Sequence, residues 1–203
     1  MSPEMTEAEI RQIRTGIQEK YAKVAAEGAG CCFEYPTGKE GMRLQGYPVD
    51  VIRDLPEEVL ADFCGVGNPF SLGPLYPGDA VLDIGCGAGV DSLVAAQLVG
   101  PGGRVVGIDV TSAMLEQARA HLARLGWPQV SFQVADAEAL PFPDNDFDAV
   151  ISNGVFNLTL DKAKALQEAH RVLKPGGRLM LADMVLVAAL PPDRQDQIAN
   201  WYQ

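Results

Sequence analysis

The stretch Val81-Leu82-Asp83-Ile84-Gly85-Cys86-Gly87-Ala88-Gly89-Val90-Asp91, followed by Val105-Val106-Gly107-Ile108-Asp109, constrains this chain more than any other. A short apolar run ending in three closely spaced glycines reads as a buried strand that turns sharply into a helix. The second apolar run ends on Asp109, a carboxylate placed to accept hydrogen bonds from both hydroxyls of a ribose. Strand, glycine turn, helix and acid-tipped second strand together describe a pocket for a nucleotide-type cofactor. Side chains at Gly85 or Gly87 would occupy the ligand's volume, so glycine stands there for close approach.

The glycine spacing is G-x-G-x-G and not G-x-G-x-x-G, which tilts the cofactor away from NAD. Asp83, near the end of its strand, is placed to salt-bridge a ligand ammonium. A methionine moiety has that group and a dinucleotide lacks it, so the pattern favours S-adenosyl-L-methionine. The plain alternative is a tight turn with no ligand. For Asp109 the alternative is a structural position beside a helix capped by Thr111 or Ser112. Met114 either lies against an adenine face or packs in the core of an amphipathic helix. Asp136, in Val134-Ala135-Asp136-Ala137-Glu138-Ala139-Leu140-Pro141, either accepts from an adenine amino group or is a solvated loop acid.

Around this motif the pattern alternates. Thr6 and Glu9 form a capping box, and Ile10, Ile13, Ile17, Tyr21 and Val24 recur at helical spacing until Gly28. From Gly28 to Pro77 glycines and prolines break the pattern, with a short helix expected near Pro56 to Phe63. Strands follow at Ala80 to Ile84, Arg104 to Val110, Val130 to Val134, Phe147 to Ser152 and Arg178 to Val185. Helices are expected at Val90 to Leu98, Ser112 to Leu125 and Asp161 to Leu173, the last ended by Pro175-Gly176-Gly177. The chain closes in what reads as a further helix. Such alternation gives an α/β fold: a Rossmann-like, doubly wound, mostly parallel sheet with helices on both faces. An N-terminal helical elaboration precedes it. Residues 1–76 form a helix and a lid or substrate segment, and residues 77–203 form the cofactor-binding domain.

Composition excludes several partners. With 16 basic against 27 acidic residues, the net charge of −11 repels nucleic acid and anionic lipid. No run of about eighteen apolar residues exists and the N-terminus is acidic, so neither a membrane span nor a signal peptide is expected, and the expected address is cytoplasmic. Four cysteines, at 31, 32, 64 and 86, are too few for a disulfide-stapled scaffold, and reduced thiols are expected. No metal-ligand spacing or serine nucleophile elbow is present. His121 and His170 fall on helices away from the pocket and receive no role.

The run Val81 to Asp91, Gly107-Ile108-Asp109-Val110-Thr111, Ala135-Asp136-Ala137-Glu138 and Val172-Leu173-Lys174-Pro175-Gly176-Gly177-Arg178-Leu179 together resemble the class I S-adenosylmethionine-dependent methyltransferases. More narrowly, Cys31-Cys32, Leu44-Gln45-Gly46-Tyr47, Gly67-Asn68-Pro69 and Ile151 to Leu158 with Asp161-Lys162 look like the arsenite methyltransferases. The resemblance implies that Asp83 and Gly85, Cys86, Gly87 and Gly89 hold the methionine end of the cofactor. It likewise implies Asp109 for the ribose, Asp136 and Ala137 for the adenine, and Asn153 for the rim near the sulfonium; Val110 and Met114 are further cofactor-binding candidates. The arsenite enzymes carry cysteines where this chain has Val66 and Gly154. Trivalent arsenic wants several thiolates, which leaves Cys31, Cys32 and Cys64 as substrate candidates. Class I members usually carry two more strands after the fifth, for which no room is expected here, so that a fragment, a shortened member or one completed by a partner chain is expected, and an exposed edge on the fifth strand would invite a homodimer.

The expected function is transfer of the donor's methyl group to a small-molecule acceptor by in-line displacement, with no residue assigned as catalytic acid or base. A lone-pair nucleophile needs alignment and water exclusion more than a base. Rival readings are a cofactor-binding protein without turnover and an NAD oxidoreductase, the latter at odds with the glycine spacing and with Asp83.

Overall fold

The computed structural model describes residues 5–185. Five parallel strands form one sheet: β1 (Ala80–Ile84), β2 (Arg104–Asp109), β3 (Val130–Val134), β4 (Phe147–Asn153) and β5 (Leu173–Ala182), in the order β3-β2-β1-β4-β5. Period-two alternation divides the strands' side chains between two cores. Val81, Val105, Val130, Ala149 and Ile151 pack on one face with Ala95, Ala96 and Val99 of helix α5 (Val90–Val99) and Leu115 and Ala118 of α6 (Ser112–Leu125). Leu82, Ile84, Val106, Ile108 and Val150 face the other way, against Ala165, Ala169 and Val172 of α7 (Lys162–Val172), and Phe147 joins them where the register shift between Phe147 and Ala149 breaks the alternation. With both faces covered, the strands read as near-continuous apolar runs, and β1 is buried at every position. Each large side chain removed from water contributes about 1.5–3 kcal/mol before entropy is counted.

The chain winds outward from β1 to β2 and β3, then crosses to the opposite side of β1 for β4 and β5. The reversal between β1 and β4 opens a crevice at the strands' carboxyl ends, where ligands bind in sheets of this kind.

Helix α1 (Glu7–Glu27) starts at Thr6 with the expected reciprocal capping box and ends at Gly28, whose φ of +87° suits glycine. The glycine- and proline-rich segment resolves into three short helices, α2 (Gly38–Leu44), α3 (Val49–Arg53) and α4 (Glu57–Ala61). Their apolar residues Met42, Ile52, Leu55, Val59 and Leu60 pack with Tyr47 and Phe63 against Val90, Leu93 and Val94 of α5. The elaboration thus covers the outer face of the first helix of the sheet domain.

The fifth strand departs from expectation. It begins at Leu173, ahead of Pro175-Gly176-Gly177, and ends at Ala182 instead of Val185. Pairing runs Phe147 with Leu173 and then Ala149 with Arg178, so the three residues bulge out of the ladder, with Gly176 at φ +81°. The helix expected at the chain's end lies outside the described residues. Among the described residues no helix is long and apolar enough to cross a membrane.

Candidate functional site

Two adjoining cavities occupy the crevice. The larger is a groove of about 1230 Å³ running under α1, and the smaller is a recess of about 40 Å³; Cys64, Gly85 and Asn153 line both. Asp109, Val110, Asp136 and Ala137 line the groove, whereas Asp83, Cys86 and Asp91 line the recess.

Asp109 ends β2 with its carboxylate at the groove. Oδ2 accepts from the Gly87 amide at 3.0 Å and Oδ1 from the Thr111 amide at 2.8 Å. These bonds tie the glycine turn to the second strand and leave further lone pairs for a ligand's hydroxyls. Burial raises the Asp109 pKa, and the two amides oppose that rise.

The glycines serve different purposes. A Cβ on Gly87 (φ +50°) would meet nothing within 4 Å, so no protein atom keeps a side chain out there. A Cβ on Gly85 (φ +73°) would overlap Val155, so the side chain excluded there is kept out by protein and not by ligand. Gly89, at φ +84°, is held close by Phe132.

Asp83 is buried, and its Oδ2 accepts from Ser92 Oγ at 2.6 Å. Burial first, and the neighbouring Asp91 second, push its pKa up to about 8. Asp91 accepts from Tyr47 Oη at 2.7 Å and from Asn153 Nδ2 at 2.9 Å; burial pushes it up to about 6 against those two hydrogen bonds. Among the described residues no ion pair involves Asp83, Asp91 or Asp109. Buried carboxylates without a protein cation suit a cationic ligand group. Asn157 Oδ1, in the groove wall, is likewise buried with no partner among the described residues.

Asn153 is a hub more than a rim. Its Oδ1 accepts from the Val66 amide at 2.8 Å and the Gly67 amide at 3.1 Å, while Nδ2 donates to Gly67 O, Asp91 Oδ2 and Tyr47 Oη. The end of β4 thereby holds the segment 65–67 over the crevice. Asp136 meets the N-terminal helix: Oδ2 accepts from Arg14 Nη2 at 3.2 Å, and Gln18 of the same helix donates to Val110 O. Met114 is buried with Val24, Ala29 and Ala88 and lines neither cavity, so its packing role is the one the structure displays. Cys86 is buried against the recess, and burial drives its thiol pKa well up.

Cys31, Cys32 and Cys64 line the groove that Asp109 also faces. Cys31 and Cys32 are joined as a disulfide, so the expectation of reduced thiols holds for Cys64 and Cys86 alone. The 3₁₀ turn Ala29–Cys31, closed by the Cys32 amide on Ala29 O, bends the chain enough to bring the neighbouring side chains together. Burial pushes the Cys64 thiol up to about 12. Tyr21, Phe33 and Tyr35 stack along the groove, with ring centroids 6.3 and 5.1 Å apart. His121 is buried away from the groove, its Nε2 3.1 Å from Asp62.

Sequence reasoning did not single out Tyr47, Asp91 or Asn157. An acid two residues after the glycine turn was the available signal for Asp91. Tyr47 closes the Leu44-Gln45-Gly46-Tyr47 stretch of the family resemblance, but its contact with Asp91, across 44 residues of chain, is not marked by residue spacing.

A sequence model of the family described as "Methyltransferase domain" matches residues 75–203. The chain is 35% identical over 198 residues to an arsenite methyltransferase of Halobacterium salinarum, covering 91% of this chain and 50% of that protein. It is 47% identical over 108 residues to a ubiquinone/menaquinone biosynthesis C-methyltransferase of Hahella chejuensis, covering 52% of this chain and 43% of the relative. Among solved structures, an arsenic(III) S-adenosylmethionine methyltransferase from Chlamydomonas reinhardtii superposes with a TM-score of 0.67 at 40% identity, over 74% of this chain and 54% of the other. The chain spans about half the length of the curated arsenite methyltransferases it matches.

Proposed function

The chain belongs to the methyltransferase-domain family, and on that premise we propose that it transfers the methyl group of S-adenosyl-L-methionine to a small-molecule acceptor. The observation that carries this reading is the meeting of Asp109, held by the Gly87 amide of the glycine turn, with the recess acids Asp83 and Asp91 at adjoining cavities of one crevice. When bound, the cofactor supplies a methyl carbon made electrophilic by its sulfonium. Asp109 would hold the ribose, Asp136 and Ala137 the adenine, and Asp83 the ammonium of the methionine end. The groove walls exclude water and align the acceptor's lone pair opposite the departing sulfur, where proximity supplies most of the acceleration.

For the acceptor, the arsenite methyltransferases of similar sequence support trivalent arsenic. Cys64 and, once a thiol reductant has opened their disulfide, Cys31 and Cys32 are the sulfur ligands available in the groove. A second reading, a carbon or oxygen acceptor, is favoured by the thiol-free residues Val66 and Gly154. A donor-binding protein without turnover is the rival from another class. Release of S-adenosylhomocysteine, measured with a panel that includes thiol-bound arsenite and phenolic acceptors, tests all three. Turnover with arsenite alone supports the first, turnover with a phenol the second, and none with any acceptor the third. We further propose a cytoplasmic address, residues 1–76 as lid and substrate side, and a homodimer formed through the outer edge of β5, which among the described residues pairs only with β4.

A further inference from the structure

The geometry points to Tyr47 as a positioning residue for the amino-acid end of the donor: with Asn153 it fixes the Asp91 carboxylate at the recess, so that Asp91 shares the donor's ammonium with Asp83. This rests on the reading of S-adenosylmethionine as the donor. Tyr47 is 3% exposed, its ring edge-on to Phe63 at 5.3 Å and to Phe70 at 5.9 Å, and its hydroxyl makes its shortest contact with Asp91, the alternative acceptor Gly67 O lying farther off at 3.3 Å. It donates to Asp91 Oδ1 at 2.7 Å while Asn153 Nδ2 donates to Oδ2 at 2.9 Å. Each carboxylate oxygen therefore has one strong protein donor and keeps capacity for another. Asp91 stands in the first turn of α5, where the helix dipole also favours negative charge.

Tyr47 lines neither cavity, and its shortest hydrogen bond toward the recess is the one to Asp91. The groups around Asp91 are Tyr47, Asn153 of β4, Asp83 of β1, and Asp62 and Cys64 from the chain after α4; none is a cation. An ammonium entering the recess meets Asp83 and Asp91, while the third lining acid, Asp62, lies 3.1 Å from His121 Nε2; the hydrogen bonds Asp91 accepts favour its ionised form. Phenylalanine at position 47 would keep the packing and remove the donor.

The test is calorimetric titration of the full chain and its Tyr47→Phe variant with two ligands. S-adenosylhomocysteine carries the amino-acid end, whereas 5′-methylthioadenosine keeps adenosine and thioether and lacks that end. Tyr47→Phe is expected to weaken S-adenosylhomocysteine roughly tenfold or more, the loss of a hydrogen bond to a charged group, and to leave 5′-methylthioadenosine unchanged. The pH below which S-adenosylhomocysteine affinity falls should also lie higher in the variant, because the lost hydrogen bond had lowered the Asp91 pKa. Asp91→Asn should show the same split between ligands. Equal weakening of both ligands makes Tyr47 merely structural and overturns the proposal, as does no weakening of either. Failure of the unmodified chain to bind either ligand overturns the donor assignment itself.

Discussion

Val66 and Gly154 lie against each other beside the crevice: a Cβ built on Gly154 would sit 3.3 Å from Val66 Cγ1. Asn153, which accepts from the Val66 amide, brings the two positions together from 88 residues apart in the chain. By the resemblance to the arsenite methyltransferases, these are the two positions at which cysteine is expected in that family. Their adjacency means that cysteines placed at both positions would face one small volume beside the crevice.

Restoring the pair is the direct check. Val66→Cys with Gly154→Cys should raise arsenite affinity roughly tenfold or more over the unmodified chain, since soft arsenic gains two sulfur ligands. Gly154→Cys alone should cost about 1–2 kcal/mol of stability, because φ at that position is +73° and a Cβ disfavours it. Arsenite titration and thermal melts read the two effects.

Removing the ribose acid should weaken the donor. Asp109→Ala deletes the acceptor of the Gly87 and Thr111 amides as well as the proposed ribose contact. The expected loss is about 1.5–3 kcal/mol, or roughly 10- to 150-fold in S-adenosylmethionine affinity by calorimetry. An unchanged affinity would remove Asp109 from the ribose site.

Asn153→Ala should loosen the crevice from behind. It leaves the Val66 and Gly67 amides without their acceptor and takes one donor from Asp91. A destabilisation of about 2–3 kcal/mol in urea is expected, with faster hydrogen exchange at Val66 and Gly67. Slow exchange at both amides in the variant would show that other contacts hold the segment.

The ligand-free protein should lose stability as pH rises through the neutral range. Asp83 and Asp91 have folded-state pKa values pushed up to about 8 and about 6, well above the usual carboxylate value. Between about pH 4 and pH 8 the folded state therefore binds more protons than the unfolded state, and the slope of stability with pH is negative. His121, whose pKa burial lowers, opposes this below its ordinary value near 6.5, and the raised thiols of Cys64 and Cys86 add to the fall above about pH 8, so the window from about pH 7 to 8 is the cleanest. Thermal melts should show a falling midpoint there, and Asp83→Asn should flatten the fall.

The β1-glycine-α5 unit and Asp109 were legible because they depend on contiguous residues. A five-residue apolar strand and three glycines at fixed offsets specify their own turn, and α6 was expected over Ser112 to Leu125, where it stands. The short helices α2 and α3 were not legible, since five to seven residues complete too few turns to display a helical period. The early start of β5 was hidden because Pro175-Gly176-Gly177 reads as punctuation, whereas the sheet accommodates it as a bulge.

By itself, the order of apolar runs, glycines and acids determined a doubly wound parallel sheet and a crevice at the carboxyl ends of its strands, because backbone sterics and side-chain period act locally. Only the tertiary structure decided that Val155, and not a ligand, forbids a side chain at Gly85, that Met114 is core, and that Tyr47 reaches Asp91. Those outcomes depend on which distant side chains share one small buried volume. That is settled by packing and by the need of buried polar groups for partners, neither of which is written in residue spacing.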